Sequence, residues 1–582
     1  MKVIELSKEG ILSGTDVTLA LAELFRKNPK DTTFVFEKGS YYFSPHPEME
    51  YAYQLSNSDW IPLRKLGVWM QRMENCVIQG NGASLCFSGH MQALTLDHCK
   101  NIQIHDLEID WEKPLVAEGI VTGSGEDYID MYIDPEVFPH RLNDNWLEFD
   151  VGNGEWYSLN HFSQIQFDSV TGTVRRDTGD CFRPQKIEEV GDHRYRFTAE
   201  YTDSAVGNIF VLRHNARLHA GIFTEKCENI TFSDIKVYSC GGLGCLAQFC
   251  QNMTYRRVHF IPHIEAGRRI SNGRDDGMHI TCCSGMTTIT ECTFMGLMDD
   301  PINVHGCCAL VQELLDEKTV RCRYAHDQAF GFQYWAEFGD EIVFIEQRHM
   351  EQIRSAAVHS YERRDKDTFD LIFEQPLPKE IVRCITEGKT LAVDNLTNTT
   401  AFTCTGNRFG SCRARGILVS TPKPVVIKNN YFASSGSAIL VAGDANYWYE
   451  SGECHDVEIS ENIFTDACLS SNYQFCEGII SICPEIPEPV LDKPFHKNIR
   501  ITHNTFDTDD RTVLYGFSCE GLLFAENRIY KSPCLKKQQK DRAAIRLKYC
   551  KDGNIRGNSW IGTFGYEKML DTENCEKIEE MV

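Results

Sequence analysis

A pattern of nine residues, in which apolar and polar side chains alternate, recurs along this chain and constrains its fold more than any other feature. Two copies, 229–237 and 252–260, end 23 residues apart, and later copies repeat that spacing. Strict alternation indicates a strand with one buried face. A strand that returns at this interval is typical of a parallel β-helix, in which equivalent positions of successive coils stack at roughly 4.8 Å. Other copies are 101–109, 286–294, 424–432, 456–464, 498–506, 521–529 and 552–560.

Two intervals between successive copies are too long for one coil. The copies that end at 109 and 237 are 128 residues apart, and those that end at 294 and 409 are 115 apart. After one coil is subtracted, each remainder has the size of a small domain. The sequence therefore predicts an all-β protein, a parallel β-helix that carries two inserted small β domains. Hairpin extensions of the coils are the simpler alternative.

The predicted domains follow from these intervals. The inserted β domains occupy 112–212 and 309–396, and the coils with the main candidate residues occupy 213–308. The remaining coils lie in 1–111 and 397–582, and an amphipathic segment at 15–25 predicts a helix that caps the N-terminal end of the solenoid. A leucine-rich repeat would need an L-x-x-L-x-L pattern that this sequence lacks, and a propeller would need a period near 40.

Charge and cysteine content bound the class of protein. Lys and Arg number 59 against 83 Asp and Glu, which gives a formal charge of −24 and argues against nucleic acid or an anionic membrane as partner. The 25 cysteines lack zinc-type spacing and are expected to be buried free thiols of a reducing compartment. No apolar run is long enough to span a membrane and no signal peptide is visible. We therefore predict a cytoplasmic location, or a periplasmic or secreted one if an upstream signal was removed.

Two aspartate doublets lie one coil apart in the middle of the chain. Asp275-Asp276 and Asp299-Asp300 precede similar strands and are offset by 24 residues. In a β-helix this offset stacks Asp276 on Asp300 and Asp275 on Asp299. Carboxylates on adjacent coils repel one another, which raises the pKa of one and leaves an acid beside a base at neutral pH. Hydrolysis of a glycosidic bond requires such a pair.

Other interpretations of these residues stay open. Aspartates at turns commonly accept hydrogen bonds from backbone N–H groups, and stacked carboxylates also suit calcium. Polar and aromatic residues in the neighbouring coils are candidates for contact with a substrate, although each also has an ordinary structural role. They are Arg274, Asp275, His279, Asn303 (stacked on His279), His305, Arg415, Trp448 and Glu477, with Arg415 and Glu477 expected in or near one column.

The segments 273–279 (Gly-Arg-Asp-Asp-Gly-Met-His) and 298–304 (Met-Asp-Asp-Pro-Ile-Asn-Val) resemble those of glycoside hydrolase family 110, the α-1,3-galactosidases of gut and marine bacteria. The resemblance covers nearly the whole chain and implies a right-handed β-helix with two inserted β-barrel domains. It implies an exo-acting, inverting hydrolase without metal or other cofactor, which releases terminal α-1,3-linked galactose from blood group B or linear α-Gal glycans. By position, Asp276 resembles the general acid, and Asp299 and Asp300 the pair that positions and deprotonates water. The implied partner is a galactose-terminated glycan, and the assembly a possible homodimer.

Two alternative functions are retained. A polygalacturonase-like β-helix hydrolase also uses Asp-Asp, but its Gly-His-Gly is absent here and the Arg-x-Lys at 546–548 lies far downstream. A non-catalytic glycan-binding β-helix would bind sugar without help from the carboxylates. Variants of Asp276 and Asp300 would separate these alternatives, because only the hydrolases lose turnover.

Overall fold

The computed structural model describes residues 1–161, 164–180, 182–200, 202–533 and 543–581. Successive copies of the alternating pattern pair in parallel, so that Val237 lies beside Ile109 on one side and Phe260 on the other. Phe294 pairs with Phe409 across the second long interval. The coils therefore continue in register past both intervals, and the predicted β-helix with inserted domains is confirmed.

Two sheets form the main walls of the solenoid, and a short antiparallel strand borders the second of them. The first, parallel sheet contains Lys2–Glu5, Thr32–Val35, Ser40–Phe43, Glu74–Phe87, Lys100–Trp111, Glu228–Val237, Gln251–Phe260, Ser284–Thr290, Thr293–Phe294, Ala401–Thr405, Arg408–Phe409, Val425–Lys428, Tyr431–Phe432, His455–Ser460, Ile463–Phe464, His496–Thr502, Thr505–Thr508, Cys519–Glu520, Leu523–Ala525, Arg528–Lys531, Lys551–Arg556, Ser559–Ile561 and Glu576–Met581. The second contains Glu50–Tyr51 (antiparallel), Arg64–Gln71, Gln92–Asp97, Ile222–Glu225, Cys245–Gln248, Met278–Thr281, Ile302–His305, Ile417–Val419, Ile439–Val441, Ile480–Ile482, Leu514–Phe517, Ala543–Lys548 and Lys568–Glu573.

Like residues stack in columns inside the solenoid. The aromatic residue that closes each pattern forms a continuous stack from Phe260 to Phe506, with neighbouring ring centroids 4.5–5.7 Å apart. Beside it runs a ladder of asparagines, buried except at its half-buried last member, in which the Nδ2 of one donates to the Oδ1 of the next at 2.9–3.1 Å: Asn407, Asn430, Asn462, Asn504, Asn527 and Asn558. Because an unpaired buried amide is costly, the ladder penalises a slip of register between coils.

An α-helix, Thr18–Lys27, closes the N-terminal end of the solenoid. Asp16 Oδ1 accepts a hydrogen bond from the Thr18 amide at 2.9 Å where the helix begins. The Phe25 ring is buried and meets Phe34 edge-on at 4.8 Å, so the apolar face of the helix covers the first coil. The remaining described helices are the α-helix Lys379–Thr386 and the 3-10 segments Leu6–Glu9, Pro47–Met49 and Ile264–Ala266.

The first inserted unit leaves the solenoid after the strand Lys100–Trp111 and consists of antiparallel strands. They are Val116–Ser124, Tyr128–Tyr132, Ile165–Phe167, Lys186–Gly191, Arg194–Thr198 and Ile209–Arg213 in one sheet, and His140–Asn143, Trp146–Gly152 and Glu155–Ser158 in another. The unit also contacts the C-terminal coils, because the Asp177 amide donates to the Ser470 carbonyl at 2.6 Å. The Asn472 amide donates to the Thr178 carbonyl at 2.8 Å, which fixes this part of the insert beside the coils.

The second inserted unit is a closed barrel with its own apolar core. Its strands are Ala309–Asp316, Thr319–Arg323, Glu341–Glu346, Glu351–Arg363, Thr368–Phe373 and Leu391–Asn395. The indole of Trp335, buried in that core, donates to the Cys307 carbonyl at 2.9 Å and ties the barrel to the strand that precedes it.

The described cysteines are free, and all but Cys86, Cys476, Cys483 and Cys575 are buried. Most of the buried thiols pack as small apolar groups in the solenoid core, as the sequence predicts, and those of Cys322 and Cys384 pack in the core of the second insert. Within the described ranges, no helix has both the length and the apolar character needed to cross a membrane.

Candidate active site

The two aspartate doublets precede neighbouring strands of the second sheet. These strands pair in register, with His279 beside Asn303. The Gly277 amide donates to the Asp300 carbonyl at 2.9 Å, so the backbones of the doublets stack on adjacent coils. The cavity in front of them has a volume of about 410 Å³ and is lined by three of the four side chains, those of Asp276, Asp299 and Asp300.

The walls of this cavity come from four parts of the chain. The segment between the strands Glu50–Tyr51 and Arg64–Gln71 contributes Asn57, and the first insert contributes Asp180. Loops of the C-terminal coils supply the largest part, which includes the aromatic residues Trp448, Tyr473 and Phe475. Their residues on the cavity are Arg413, Ala414, Arg415, Leu418, Leu440, Ala442, Gly443, Asp444, Trp448, Glu450, Asn472, Tyr473, Gln474, Phe475, Cys483 and Glu485, and Arg217 and Asn303 complete the lining.

Asp275 lies behind the cavity and binds three arginines. Its carboxylate accepts hydrogen bonds from Arg213 at 2.7 Å, from Arg217 at 2.7 Å and from Arg274 at 2.8 Å. Burial alone would raise the pKa of Asp275, but the three guanidinium groups outweigh burial and hold the pKa well below its usual value. Asp275 is therefore ionised, and it fixes Arg217 at the cavity wall.

Asp299 is held as a carboxylate at the cavity surface. Arg217 Nη2 lies 3.3 Å from Oδ2, and Arg413 Nη1 lies 3.3 Å from Oδ1. Burial pushes the pKa of Asp299 upward, but Arg413 and Arg217 outweigh burial and lower the pKa below its usual value. An ionised Asp299 can accept a proton at neutral pH.

Asp300 has both carboxylate oxygens engaged by one residue. The Arg415 amide donates to Oδ1 at 2.9 Å, and its guanidinium donates to Oδ2 at 2.7 Å. Burial raises the pKa of Asp300 to about 7, with Asp299 and Asp276 adding to the rise and Arg415 opposing it. Both Asp299 oxygens also face arginines, but at 3.3 Å, so the shorter bonds of Asp300 leave its oxygens less free to take a proton from water.

Asp276 differs from the other three aspartates in its partner. Among the described residues, no arginine or lysine forms an ion pair with it, and His279 Nδ1 contacts its Oδ2 at 2.7 Å. Burial, followed by the neighbouring Asp299 carboxylate, raises the pKa of Asp276 well above its usual value. A protonated carboxyl and an ionised carboxylate thus face one cavity from adjacent coils, which is the pairing that acid–base hydrolysis of a glycoside requires.

Comparison with characterised proteins identifies the family. The chain is 38% identical over 543 residues to "Alpha-1,3-galactosidase B" of Bacteroides thetaiotaomicron, an alignment that covers 92% of this chain and 86% of the relative. It is 31% identical over 579 residues to "Alpha-1,3-galactosidase A" of Bacteroides fragilis, with 97% and 92% covered. The chain belongs to glycoside hydrolase family 110. Two family models agree, with GLAA-B beta-barrel domain I at residues 117–209 and domain II at residues 319–383 of this family 110 chain.

Solved structures outside family 110 share far less with this chain. A family 28 exopolygalacturonase of Yersinia enterocolitica aligns with a TM-score of 0.43 and 9% identity, covering 99% of this chain and 78% of the other. PfbA, a surface adhesin of Streptococcus pneumoniae, aligns with a TM-score of 0.41 and 10% identity, covering 99% and 93%.

The predicted site residues of this family 110 protein fall into three groups. Asn303, Arg415 and Trp448 line the cavity together with the three aspartates. A second group, Arg274, Asp275, His279 and His305, is buried behind the cavity wall and is not part of its lining.

Glu477 forms the third group and lies outside the cavity. The strand pairing places Gly478, not Glu477, in the column of Arg415. Glu477 lies in the turn before its strand, and its carboxylate accepts a hydrogen bond from Arg546 at 3.1 Å. Glu477 is therefore not part of the site that we propose.

Sequence reasoning missed several residues that shape the site. Arg413 lies two residues before Arg415, in the coil that follows Asp299-Asp300, and that spacing is a signal that could have identified it. Glu450 follows Trp448 in the aromatic loop, and its carboxylate accepts a hydrogen bond from Asn57 at 2.7 Å. No local pattern marks the other missed residues, because Asn57, Asp180 and Arg217 come from distant segments.

One group of side chains in the described part of the chain has the spacing of metal ligands. His279, His305 and Glu450 offer ligand atoms within 4.8 Å of one another. The two histidine Nε2 atoms are 2.8 Å apart, and His305 Nδ1 lies 2.5 Å from the Gly306 carbonyl oxygen, which is the geometry of a hydrogen-bond chain. The calcium alternative is disfavoured as well, because guanidinium groups contact the oxygens of Asp275, Asp299 and Asp300 that a hard cation would bind.

Proposed function

We propose that this protein is an exo-acting α-1,3-galactosidase, which hydrolyses terminal α-1,3-linked galactose from glycans with inversion at the anomeric carbon. One observation carries the proposal in this chain. Asp276, which has no arginine partner among the described residues, shares a cavity with Asp299, which two arginines keep ionised. The relatives named above are α-1,3-galactosidases by name, which supports the choice of substrate.

In the proposed mechanism Asp276 is the general acid and protonates the glycosidic oxygen. Asp299 accepts a proton from a water molecule, which attacks the anomeric carbon from the opposite side while the bond to the leaving oxygen breaks. Asp300, held by Arg415, helps to position that water. An inverting enzyme needs about 6.5–9.5 Å between acid and base, and the diagonal relation of Asp276 and Asp299 on adjacent coils favours such a gap.

The cavity fits the recognition of a terminal sugar. Its volume lies near the lower end of the range of about 300–1,000 Å³ that is usual for small-ligand sites. The face of Trp448 can pack on the apolar face of galactose, and Asn303, Arg415 and Glu450 offer hydrogen bonds to hydroxyl groups. We expect exo-action, with the terminal galactose bound against the three aspartates that line this cavity.

Assembly and location complete the proposal. We expect a homodimer, which size-exclusion chromatography with light scattering would test. We expect the cytoplasm as compartment, since the described cysteines are free and mostly buried, and cell fractionation with an antibody would test this. Blood group B and linear α-Gal trisaccharides should be compared as substrates.

The deciding experiment measures hydrolysis of Galα1-3Gal by the wild-type protein and by Asp276→Asn. Loss of a general acid lowers the rate by about 10²–10⁴-fold. Asp234→Asn is a matched control, because Asp234 pairs with Arg257 on the outer face of the coils, away from the cavity. NMR of the first product should show β-galactose.

Other outcomes would identify the alternatives. Turnover of polygalacturonate with none of Galα1-3Gal indicates the polygalacturonase-like hydrolase. Galactoside binding without turnover, equal in wild type and Asp276→Asn, indicates a non-catalytic glycan-binding protein. A first product with the α configuration excludes inversion.

A further inference from the structure

A continuous chain of hydrogen bonds runs from the proposed general acid into the protein interior. Asp276 Oδ2 lies 2.7 Å from His279 Nδ1, and His279 Nε2 lies 2.8 Å from His305 Nε2. The chain ends where His305 Nδ1 meets the Gly306 carbonyl oxygen at 2.5 Å. Both imidazole rings are buried, at 0% and 5% exposure for His279 and His305, so solvent does not supply alternative partners.

The Gly306 carbonyl at the inner end determines which atom donates in each hydrogen bond of the series. A carbonyl oxygen only accepts, so His305 Nδ1 carries a hydrogen. A neutral His305 then accepts at Nε2, and His279 must donate from its own Nε2. A neutral His279 in turn accepts at Nδ1, and the hydrogen of the first bond must come from the Asp276 carboxyl. An ionised Asp276 would place two acceptors 2.7 Å apart.

The chain holds one proton beyond those of two neutral imidazoles and a carboxylate. That proton can sit on Asp276, on His279 or on His305 without loss of any of the three hydrogen bonds. Burial lowers the pKa of each histidine to about 4, whereas burial and Asp299 raise the pKa of Asp276, and both effects favour Asp276 as the site of the proton.

Charged groups face the chain from several elements. Asp275 and Asp299 lie near the Asp276 end, where Arg217 opposes them. Glu450 Oε1 lies 3.6 Å from His305 Nε2, and Asn57 and Asn303 donate to the Glu450 carboxylate at 2.7 and 3.3 Å. Glu450 would stabilise a proton on His305, so His305 is the alternative position of the extra proton in the chain of hydrogen bonds.

We propose that His279 and His305 are positioning residues, which keep one proton on the Asp276 carboxyl of the free enzyme and favour its recapture after each turnover. The inference rests on the proposed function, with Asp276 as general acid. During hydrolysis Asp276 gives its proton to the leaving oxygen, and Asp299 takes one from the attacking water. The proton on Asp299 is then released to solvent, and Asp276 takes one up from solvent. This uptake is favoured because an ionised Asp276 and an unprotonated His279 Nδ1 are two acceptors with no hydrogen between them.

The test is the pH dependence of kcat/KM on Galα1-3Gal, which reports the groups of the free enzyme. In His305→Phe, His279 has no acceptor at Nε2 and can place its hydrogen on Nδ1, which stabilises an ionised Asp276. Since the acid works only when protonated, activity is lost as pH rises through its pKa. We expect the basic limb of the profile to move to lower pH by at least about one unit, a tenfold loss on that limb.

Three comparisons separate this role from a structural one. In His305→Gln the side-chain oxygen can accept from His279 Nε2, and the basic limb should return toward its wild-type position. His90→Phe makes the same change at a buried ring that packs on Tyr157 and is not part of the chain of hydrogen bonds. It should leave the pH profile of kcat/KM unchanged. α-Galactosyl fluoride, which needs little protonation of its leaving group, should lose at least tenfold less activity than Galα1-3Gal in His305→Phe.

The outcomes of this test are distinct from those of the proposed function. Wild-type protein inactive on Galα1-3Gal, or fully active Asp276→Asn, defeats the proposed function itself. If Asp276→Asn is inactive and the basic limb of folded His305→Phe does not move, only the proposed role of His279 and His305 is overturned. If circular dichroism shows His305→Phe to be unfolded, His279→Asn replaces it. The side-chain amide of Asn can donate to an ionised Asp276, so the proposal predicts the same shift of the basic limb to lower pH. A basic limb that does not move in His279→Asn rejects the proposal.

Discussion

Replacing Arg413 with glutamine should move the acid limb of the pH profile, because Arg413 supplies one of the two charges that keep Asp299 ionised. Its Nη1 atom lies 3.3 Å from Asp299 Oδ1. A unit charge at that distance contributes about 5 kcal/mol at an effective dielectric constant of about 20. The guanidinium is shared with Asp180, and Arg217 stays beside Asp299, so the net effect is smaller. Carboxylates beside an arginine shift by about 1–3 pKa units, or about 1.4–4 kcal/mol.

The sign of the change follows from the role of Asp299 as base. Asp299 works only when ionised, so activity is present above its pKa and is lost as the pH falls through it. Loss of Arg413 raises that pKa toward or above the usual value near 3.9. We expect the acid limb of kcat/KM to move to higher pH by about 1–3 units, and at the upper end of that range the activity at pH 5 falls about tenfold relative to pH 7.

The assay is the rate of galactose release from Galα1-3Gal between pH 3.5 and 9. Arg257→Gln serves as the control, since Arg257 pairs with Asp234 and Glu291 on the outer face of the coils. An acid limb that stays in place in a folded Arg413→Gln protein would refute the assignment of Asp299 as base. A shift of the basic limb alone would point instead to an effect on Asp276.

Three further predictions concern the proposed base, the proposed galactose contact of Trp448 and the stability of the solenoid. Asp299→Asn should lose at least tenfold more kcat than Asp300→Asn, because Arg415 occupies both Asp300 oxygens; equal losses would leave the base shared between them. Trp448→Ala should raise KM for Galα1-3Gal about tenfold with a smaller change in kcat, and an unchanged KM would remove Trp448 from the sugar contacts. Asn430→Ala should lower the free energy of unfolding by about 2–4 kcal/mol in urea denaturation, because it breaks the buried ladder on both sides, whereas the exposed Asn143→Ala should change it by less than about 1 kcal/mol.

The coils could be predicted from sequence because their signal is local and periodic. The alternation within each segment predicts which face is buried, and the 23-residue spacing between segments predicts which of them are neighbours. The register followed from the same arithmetic, and His279 does lie beside Asn303. The asparagine ladder was not predicted, since its pairing depends on side-chain directions inside the solenoid.

The direction of side chains at the turns limited the prediction of the site. His279 and His305 were identified as candidate sugar contacts, but both are buried behind the cavity wall. Glu477 was placed near the column of Arg415, but it lies in the turn before its strand and contacts Arg546 instead. Alternation inside a strand fixes which face a residue occupies, whereas a turn before the strand has no such period.

The difference in role between the two doublets arises from long-range contacts that no periodic pattern contains. As sequence, Asp275-Asp276 and Asp299-Asp300 are equivalent, and either pair could supply the acid. Arg217 approaches from the segment after the first insert, and Arg413 and Arg415 come from beyond the second. These arginines form ion pairs with every aspartate of the doublets except Asp276. In the proposed mechanism the inserts therefore act through the segments that follow them, because arginines of those segments pair with three of the four carboxylates and leave Asp276 without such a partner among the described residues.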